Sequence, residues 1–200
     1  MRARKVKTAV ATVVLGVVIV STIFAGYYGF MLSALDPENP NITLADIEKT
    51  VSELYPAPEI EAKNLMEKFV RDDIVMFDVR ERAEYDQSHI AGAMHLPPNT
   101  TQEAFIAEHG SRVNGKIVVF YCAVGVRSSI MHNRMEDGMA LLAPTATYNM
   151  RGGIFRWFSE GLPVMSNSGP ANSVHPYDDA WGKLLARTAQ SPRNQLRFSQ

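Results

Sequence analysis

Val118-Val119-Phe120-Tyr121-Cys122-Ala123-Val124-Gly125-Val126-Arg127-Ser128-Ser129 is the stretch from which the rest of the chain is best read. An apolar, β-favouring run ends at Cys122, the one cysteine in 200 residues. A short loop containing Gly125 follows, then Arg127 and two serines able to open a helix. Strand, loop and helix N-terminus in that order put the thiol at the carboxyl end of a strand. In open α/β sheets that edge is where ligands and reactive groups are placed. Free cysteine is also among the most buried residue types, so the same pattern fits the last residue of a core strand.

Working outward, Ile74-Val75-Met76-Phe77-Asp78-Val79-Arg80 reads as a second buried strand, apolar until its carboxyl end. Before it, a helix is expected over residues 59–70, with Ala62, Leu65, Met66, Phe69 and Val70 on one face. Arg71-Asp72-Asp73 is a turn, residues 82–88 are helical or looped, and a short strand runs up to Pro97-Pro98. Thr100 and Glu103 form a candidate capping box for a helix that Gly110 should end. After Cys122, a helix from Ser128 to about Leu142 precedes Pro144, a strand over residues 145–150, the Arg151-Gly152-Gly153 turn and an aromatic helix over residues 154–160. Strands alternating with helices predict an α/β fold with a parallel-rich sheet covered on both faces. Ser-, Asn-, Gly- and Pro-rich composition from Ser166 onward places the end of this domain near residue 165. The tail, residues 166–200, carries a helix over 178–189 with Trp181, Leu184 and Leu185 on one side, suited to docking on the domain or on a protein partner; residues 191–200 are expected to fray.

The N-terminal end differs in kind. No charged residue occurs from Ala9 to Leu35, while Arg2, Arg4, Lys5 and Lys7 precede the run and Asp36 and Glu38 follow it. A bilayer-spanning helix needs about 20 apolar residues, and the flanking charges leave the N-terminus in the cytoplasm and the rest outside it. Residues 1–35 therefore read as a basic stub and one transmembrane helix, with a cleaved secretory signal as the alternative. Both place the folded part in a periplasm-like compartment. Residues 36–58 read as a linker in which Thr43 caps a short helix from Leu44 to Leu54. The formal net charge is −1, and four of the basic residues lie in the first seven positions, so no nucleic-acid surface is implied. A single cysteine excludes an internal disulfide, and the five histidines show no metal-ligand spacing; neither metal nor cofactor is expected.

Asp78-Val79-Arg80, Glu84-Tyr85 and His89-Ile90-Ala91-Gly92-Ala93 together resemble the "DVR…E(Y/F)…GHIxGA" segment of rhodanese domains, with Ser88 in place of the usual glycine. Residues Cys122 to Ser128 are similar to the "CxxGxRS" active-site loop of that family, and Arg151-Gly152-Gly153-Ile154 with Trp157, Gly161 and Pro163 to its closing signature. The resemblance spans about residues 59–164. It implies a central parallel sheet with helices on both sides and sulfurtransferase chemistry through a Cys122 persulfide, with the loop residues Ala123, Val124, Gly125, Val126, Arg127 and Ser128 binding substrate.

A sulfur carrier needs a thiolate that attacks a sulfane sulfur and then surrenders it to a second nucleophile. Helix N-termini and nearby cations favour the thiolate form. Backbone N–H groups from Ala123 to Ser128 can form a nest for anionic sulfur. Arg127 fits two roles, steering an anionic donor such as thiosulfate or pairing with a carbonyl or carboxylate of the fold. Ser128 fits a helix cap, with a hydrogen bond to substrate as a second role. Asp78 is expected to be architectural, and Arg80 to add positive potential near the site. Four residues separate Cys122 from Arg127, one fewer than in related phosphatases and arsenate reductases of this fold, which argues for sulfur over a tetrahedral oxyanion. The apolar Ala123, Val124 and Val126 turn the expected donor from thiosulfate toward polysulfide or a small-molecule or protein persulfide, with a thiol or cyanide as acceptor. A catalytically weak module serving protein interaction at the membrane is the alternative.

Overall fold

The computed structural model describes residues 22, 25–27, 29, 31–69 and 73–189. Residues up to Asp36 form a unit of their own. The expected span over residues 9–35 lies mostly outside the described residues, and among the described residues no helix is long and apolar enough to cross a membrane. The Arg71-Asp72 turn and the frayed end over residues 191–200 also lie outside them.

The second unit starts at Pro37. Thr43 opens α1 (Leu44–Leu54) with a reciprocal cap: its hydroxyl accepts from Asp46 N at 3.2 Å, and the Asp46 carboxylate accepts from Thr43 N at 2.9 Å. Ile47 and Val51 are buried beneath it. The chain then forms β1 (Glu59–Ile60) and α2 (Ala62–Phe69). The helix expected from residue 59 thus begins three residues late, because Glu59 and Ile60 pair in parallel with Asn149 and Met150 at the sheet edge. Of its expected apolar face, Ala62 and Leu65 are buried and Met66 is exposed.

β2 (Ile74–Asp78), α3 (Arg82–Gln87), β3 (Met94–His95), α4 (Gln102–Val113), β4 (Ile117–Tyr121), α5 (Val126–Leu142), β5 (Ala146–Met150) and α6 (Gly153–Ser159) follow. A hairpin of β6 (Val164–Ser166) and β7 (Gly169–Ala171) and the helix α7 (Asp179–Ala189) complete the described chain. The five-stranded sheet has the order β1-β5-β4-β2-β3 with every neighbouring pair parallel. Side chains alternate across a strand: Phe77, Val118 and Phe120 join one cluster with Phe105, Val113, Met131 and Met135 from α4 and α5. Met76, Val119 and Tyr121 on the other face are buried as well. Both faces are covered, which is why these strands are continuously apolar. Phe77 stacks on Phe120 and meets Phe105 edge-on at 5.1 Å; truncating one such ring to alanine costs about 3–5 kcal/mol.

Three further boundaries differ from the sequence expectation. Thr101, not Thr100, caps α4 by accepting from Ala104 N at 3.3 Å. That helix runs through Gly110 to Val113, and the glycine serves packing: a Cβ there would sit 3.0 Å from Leu142 Cδ2 of α5. The close approach of α4 and α5 offsets the ~1 kcal/mol that glycine costs in a helix interior. Finally, α5 starts at Val126, two residues before the expected serine.

The segments expected as linker and tail pack with the 59–165 core as one unit, from Pro37 to α7. His89 N donates to Met165 O at 2.7 Å and Met165 N to His89 O at 2.8 Å, which ties the hairpin to the loop before β3. Arg187 of α7 donates to the carbonyls of Pro37, Asn39 and Ile42 at 3.1, 3.3 and 3.4 Å, and Leu184 is buried. The two ends of the unit are clamped to each other.

Candidate active site

β4 is the central strand, and its carboxyl end delivers Cys122 between β2 and β5. The thiol is 1% exposed. Two backbone features shape the loop that follows. Gly125 has φ +110°, a left-handed conformation that side-chain-bearing residues rarely adopt. It turns the chain so that its own N–H donates to Cys122 Sγ at 3.2 Å and α5 begins one residue later. From the other side, the first N–H groups of α6 take the loop carbonyls: Ile154 N donates to Cys122 O at 2.9 Å and Phe155 N to Ala123 O at 3.0 Å. Gly153, at φ +54°, lies so close that a Cβ would collide with those same two carbonyl oxygens. With the carbonyls of Cys122 and Ala123 held by α6, the loop turns the Gly125 amide toward the sulfur. The positive end of α5 favours negative charge in the same place.

Arg127 is paired with a carboxylate. Its Nη1 donates to Glu84 Oε2 at 2.6 Å and its Nη2 to Glu84 Oε1 at 2.9 Å, the two-pronged geometry that suits guanidinium and carboxylate. Glu84 also accepts from Glu81 N at 3.0 Å at the start of α3. Burial works against both charges. For Glu84, the Arg127 hydrogen bond and charge outweigh it and hold the carboxyl below its ordinary value. For Arg127, Glu84 and the neighbouring Cys122 sulfur outweigh it and hold the guanidinium above its ordinary value. The Arg127 side chain keeps 24% of its surface exposed, beside the buried thiol.

Arg80 and Ser128 take positions different from those expected. Arg80 is fully buried, with Nε and Nη2 donating to Asp78 at 2.9 and 2.6 Å and Nη2 also to Ser88 O at 2.6 Å. Its charge is paired with Asp78 at the strand end, and its field still favours the ionised form of Glu84. Asp78 holds Arg80, and both join β2 to the loop before β3. Ser88 has an extended backbone, φ −166°, so nothing there requires a glycine. Ser128 lies inside α5, fully buried, and the N-cap position belongs to Gly125. The Ser128 hydroxyl is 2.7 Å from Asn149 Oδ1 and 3.2 Å from Gly125 O, so it ties the loop to β5 and does not face the mouth. Ala123 and Val124 are buried, and Val126 is partly exposed. His89 Nδ1 donates to Tyr85 O, 2.9 Å away, and the imidazole stacks on the Tyr85 ring.

Three residues joined to the site were not legible as such. Glu84 could have been found from the rule that a semi-buried arginine needs a carboxylate. Asn149 sits at the carboxyl end of the neighbouring strand, where a polar residue in an apolar run is the signal. Tyr177, whose ring lies 5.1 Å from the Arg127 guanidinium carbon, comes from the tail and has no local signal. A cleft of about 820 Å³ beside β3, lined by Tyr85, His95, Thr100, Ala104 and His109 among others, includes none of residues 122–128. Among the described residues no group of three or more metal-ligating side chains comes together.

The profile of the rhodanese-like domain matches residues 61–160. A protein of Allochromatium vinosum named sulfurtransferase is 30% identical over 114 residues, covering 56% of this chain and 97% of that protein. The thiosulfate sulfurtransferase GlpE of Coxiella burnetii is 33% identical over 99 residues, covering 49% of this chain and 81% of that protein. Among solved structures, a thiosulfate sulfurtransferase from Pseudomonas aeruginosa superposes with a TM-score of 0.50 at 19% identity, over 71% of this chain and 26% of that one. At that identity the likeness is one of fold.

Proposed function

Because this chain belongs to the rhodanese-like domain family, we propose that it is a sulfurtransferase in which Cys122 carries the transferred sulfur. The Cys122 thiolate attacks the outer sulfur of a donor, a sulfur–sulfur bond forms, and the bond within the donor breaks. The bonding pair leaves with sulfite from thiosulfate, or with a thiolate from a persulfide. An acceptor nucleophile, a thiol or cyanide, then attacks the outer sulfur of the persulfide and returns Cys122 as thiolate. Each step is a displacement at sulfur and needs no further oxidant or reductant. The observation that carries this reading is the resting loop, in which Gly125 N–H donates to Sγ while α6 holds the carbonyls of Cys122 and Ala123.

The donor is the finer part of the proposal. The Coxiella relative's name supports thiosulfate, but here both terminal nitrogens of Arg127 already donate to Glu84 and the flanking loop residues are apolar. A polysulfide or persulfide, whose charge is spread over soft sulfur, suits such a mouth better than thiosulfate with its charged oxygens. The uncharged run over residues 9–35, with basic residues before it and acidic ones after it, supports a domain tethered to a membrane on its extracytoplasmic side. The Arg127–Glu84 pairing also favours a second reading, a catalytically weak interaction module.

Turnover separates the two. The full-length protein should transfer sulfur from thiosulfate, polysulfide or an organic persulfide to cyanide or a thiol, and Cys122→Ser should abolish it. No transfer from any of these donors would leave the interaction module as the better account.

A further inference from the structure

Tyr177 lies outside the segment matched by the family profile, on the arm between the β6–β7 hairpin and α7. Its backbone is left-handed, φ +73°, which is uncommon for a residue carrying an aromatic side chain. Such a conformation persists where the surroundings over-determine it. Here the arm is fixed on both sides. Val174 is buried before it, Tyr177 N donates to His175 Nδ1 at 3.0 Å, and Trp181 N donates to Asp178 Oδ1 at 2.9 Å as α7 begins. Leu184 and Arg187 then anchor α7. The Tyr177 ring is laid against the Arg127 guanidinium, 5.1 Å from its carbon, while half of its surface remains exposed.

Glu84 occupies the terminal nitrogens of Arg127 along one edge, and the guanidinium carbon lies over the Tyr177 ring. An aromatic face carries negative quadrupolar charge and is attracted to a guanidinium. An anion approaching Arg127 from the arm's side therefore meets a negative π-face in place of a bare cation. We propose that Tyr177 is a specificity-determining residue of the Cys122 site: by covering the Arg127 guanidinium it disfavours anionic oxygen-bearing donors such as thiosulfate relative to uncharged sulfane-sulfur donors. This rests on the sulfurtransferase reading and goes beyond it, since it assigns donor choice to the tail. Tyr177 acts through Arg127, and its ring face carries the effect; the phenol oxygen does not.

The full-length protein is compared with Tyr177→Ala and Tyr177→Phe in two measurements. In the first, the sole cysteine is alkylated with iodoacetate, an anion, and with iodoacetamide, its uncharged counterpart, and the rates are followed by intact mass. Tyr177→Ala raises the ratio of the iodoacetate rate to the iodoacetamide rate by about threefold, the scale of one exposed cation–π contact, and Tyr177→Phe keeps the wild-type ratio. General loosening of the arm would speed both reagents and leave the ratio unmoved. In the second, Tyr177→Ala lowers KM for thiosulfate with kcat unchanged, and Tyr177→Phe keeps the wild-type KM. An unchanged alkylation ratio in Tyr177→Ala overturns the role of Tyr177 while sulfur transfer stands. Failure of the wild type to accept sulfur from any donor overturns the sulfurtransferase reading, and the specificity role with it, whatever the alkylation ratio.

Discussion

At the residue scale, the pair Glu84–Arg127 decides what kind of mouth the thiol has. A bare arginine above a buried thiolate would make an anion trap; one neutralised by a carboxylate makes a nearly uncharged rim. Glu84 is the more buried partner and has its carboxyl held below the ordinary range by Arg127. A group whose folded value is depressed contributes stability above its unfolded value and loses it as pH falls through the folded one. Glu84→Gln, which keeps shape and removes charge, should therefore destabilise the fold by about 1–3 kcal/mol at neutral pH, a hydrogen bond to a charged group being at stake and Arg127 being partly solvated. The difference from wild type should shrink as pH is lowered below the carboxylate range. Urea melts at neutral and acid pH check this, and a pH-independent difference would mean that shape, not charge, is what Glu84 supplies.

At the scale of elements, the parts with a strong periodic or covalent signal were legible. The apolar runs of β2 and β4 read as strands covered on both faces, and Cys122 does lie at the carboxyl edge of the sheet, where the candidate site was expected. The α1 cap was legible because Thr43 and Asp46 satisfy each other locally. What was not legible depends on partners remote in sequence. β1 is strand only because β5 lies beside it. Gly110 does not end α4, because Leu142, remote in sequence, fills the space its missing side chain leaves. Ser128 looked like a cap, but the left-handed Gly125 had already started the helix. Within the site, Cys122 and its loop were readable from spacing. The neutralisation of Arg127 by Glu84, and of Arg80 by Asp78, needed the fold to bring charges together.

At the scale of the molecule, both flanks of the family segment are part of the working structure. From the N-terminal side, α1 sends Glu48 to Arg156 at 2.6 Å, next to the Gly152-Gly153 turn, and Val51 packs under Gly125. From the C-terminal side, the arm brings Tyr177 to Arg127, and α7 is held by Arg187 on the carbonyls that precede α1. Arg187→Ala should lower stability by about 1–2 kcal/mol, which in a domain of this size is a fall of roughly 2–8 °C in Tm. Thermal melting checks it, and an unchanged Tm would mean that the clamp closing the unit contributes nothing. The central claim, that Cys122 carries the sulfur, is tested most directly by intact-mass measurement of the full-length protein after incubation with thiosulfate, polysulfide or an organic persulfide. The account predicts the mass of one added sulfur, removed by cyanide or a thiol and absent from Cys122→Ser; no added sulfur from any donor, or sulfur retained by Cys122→Ser, would contradict it.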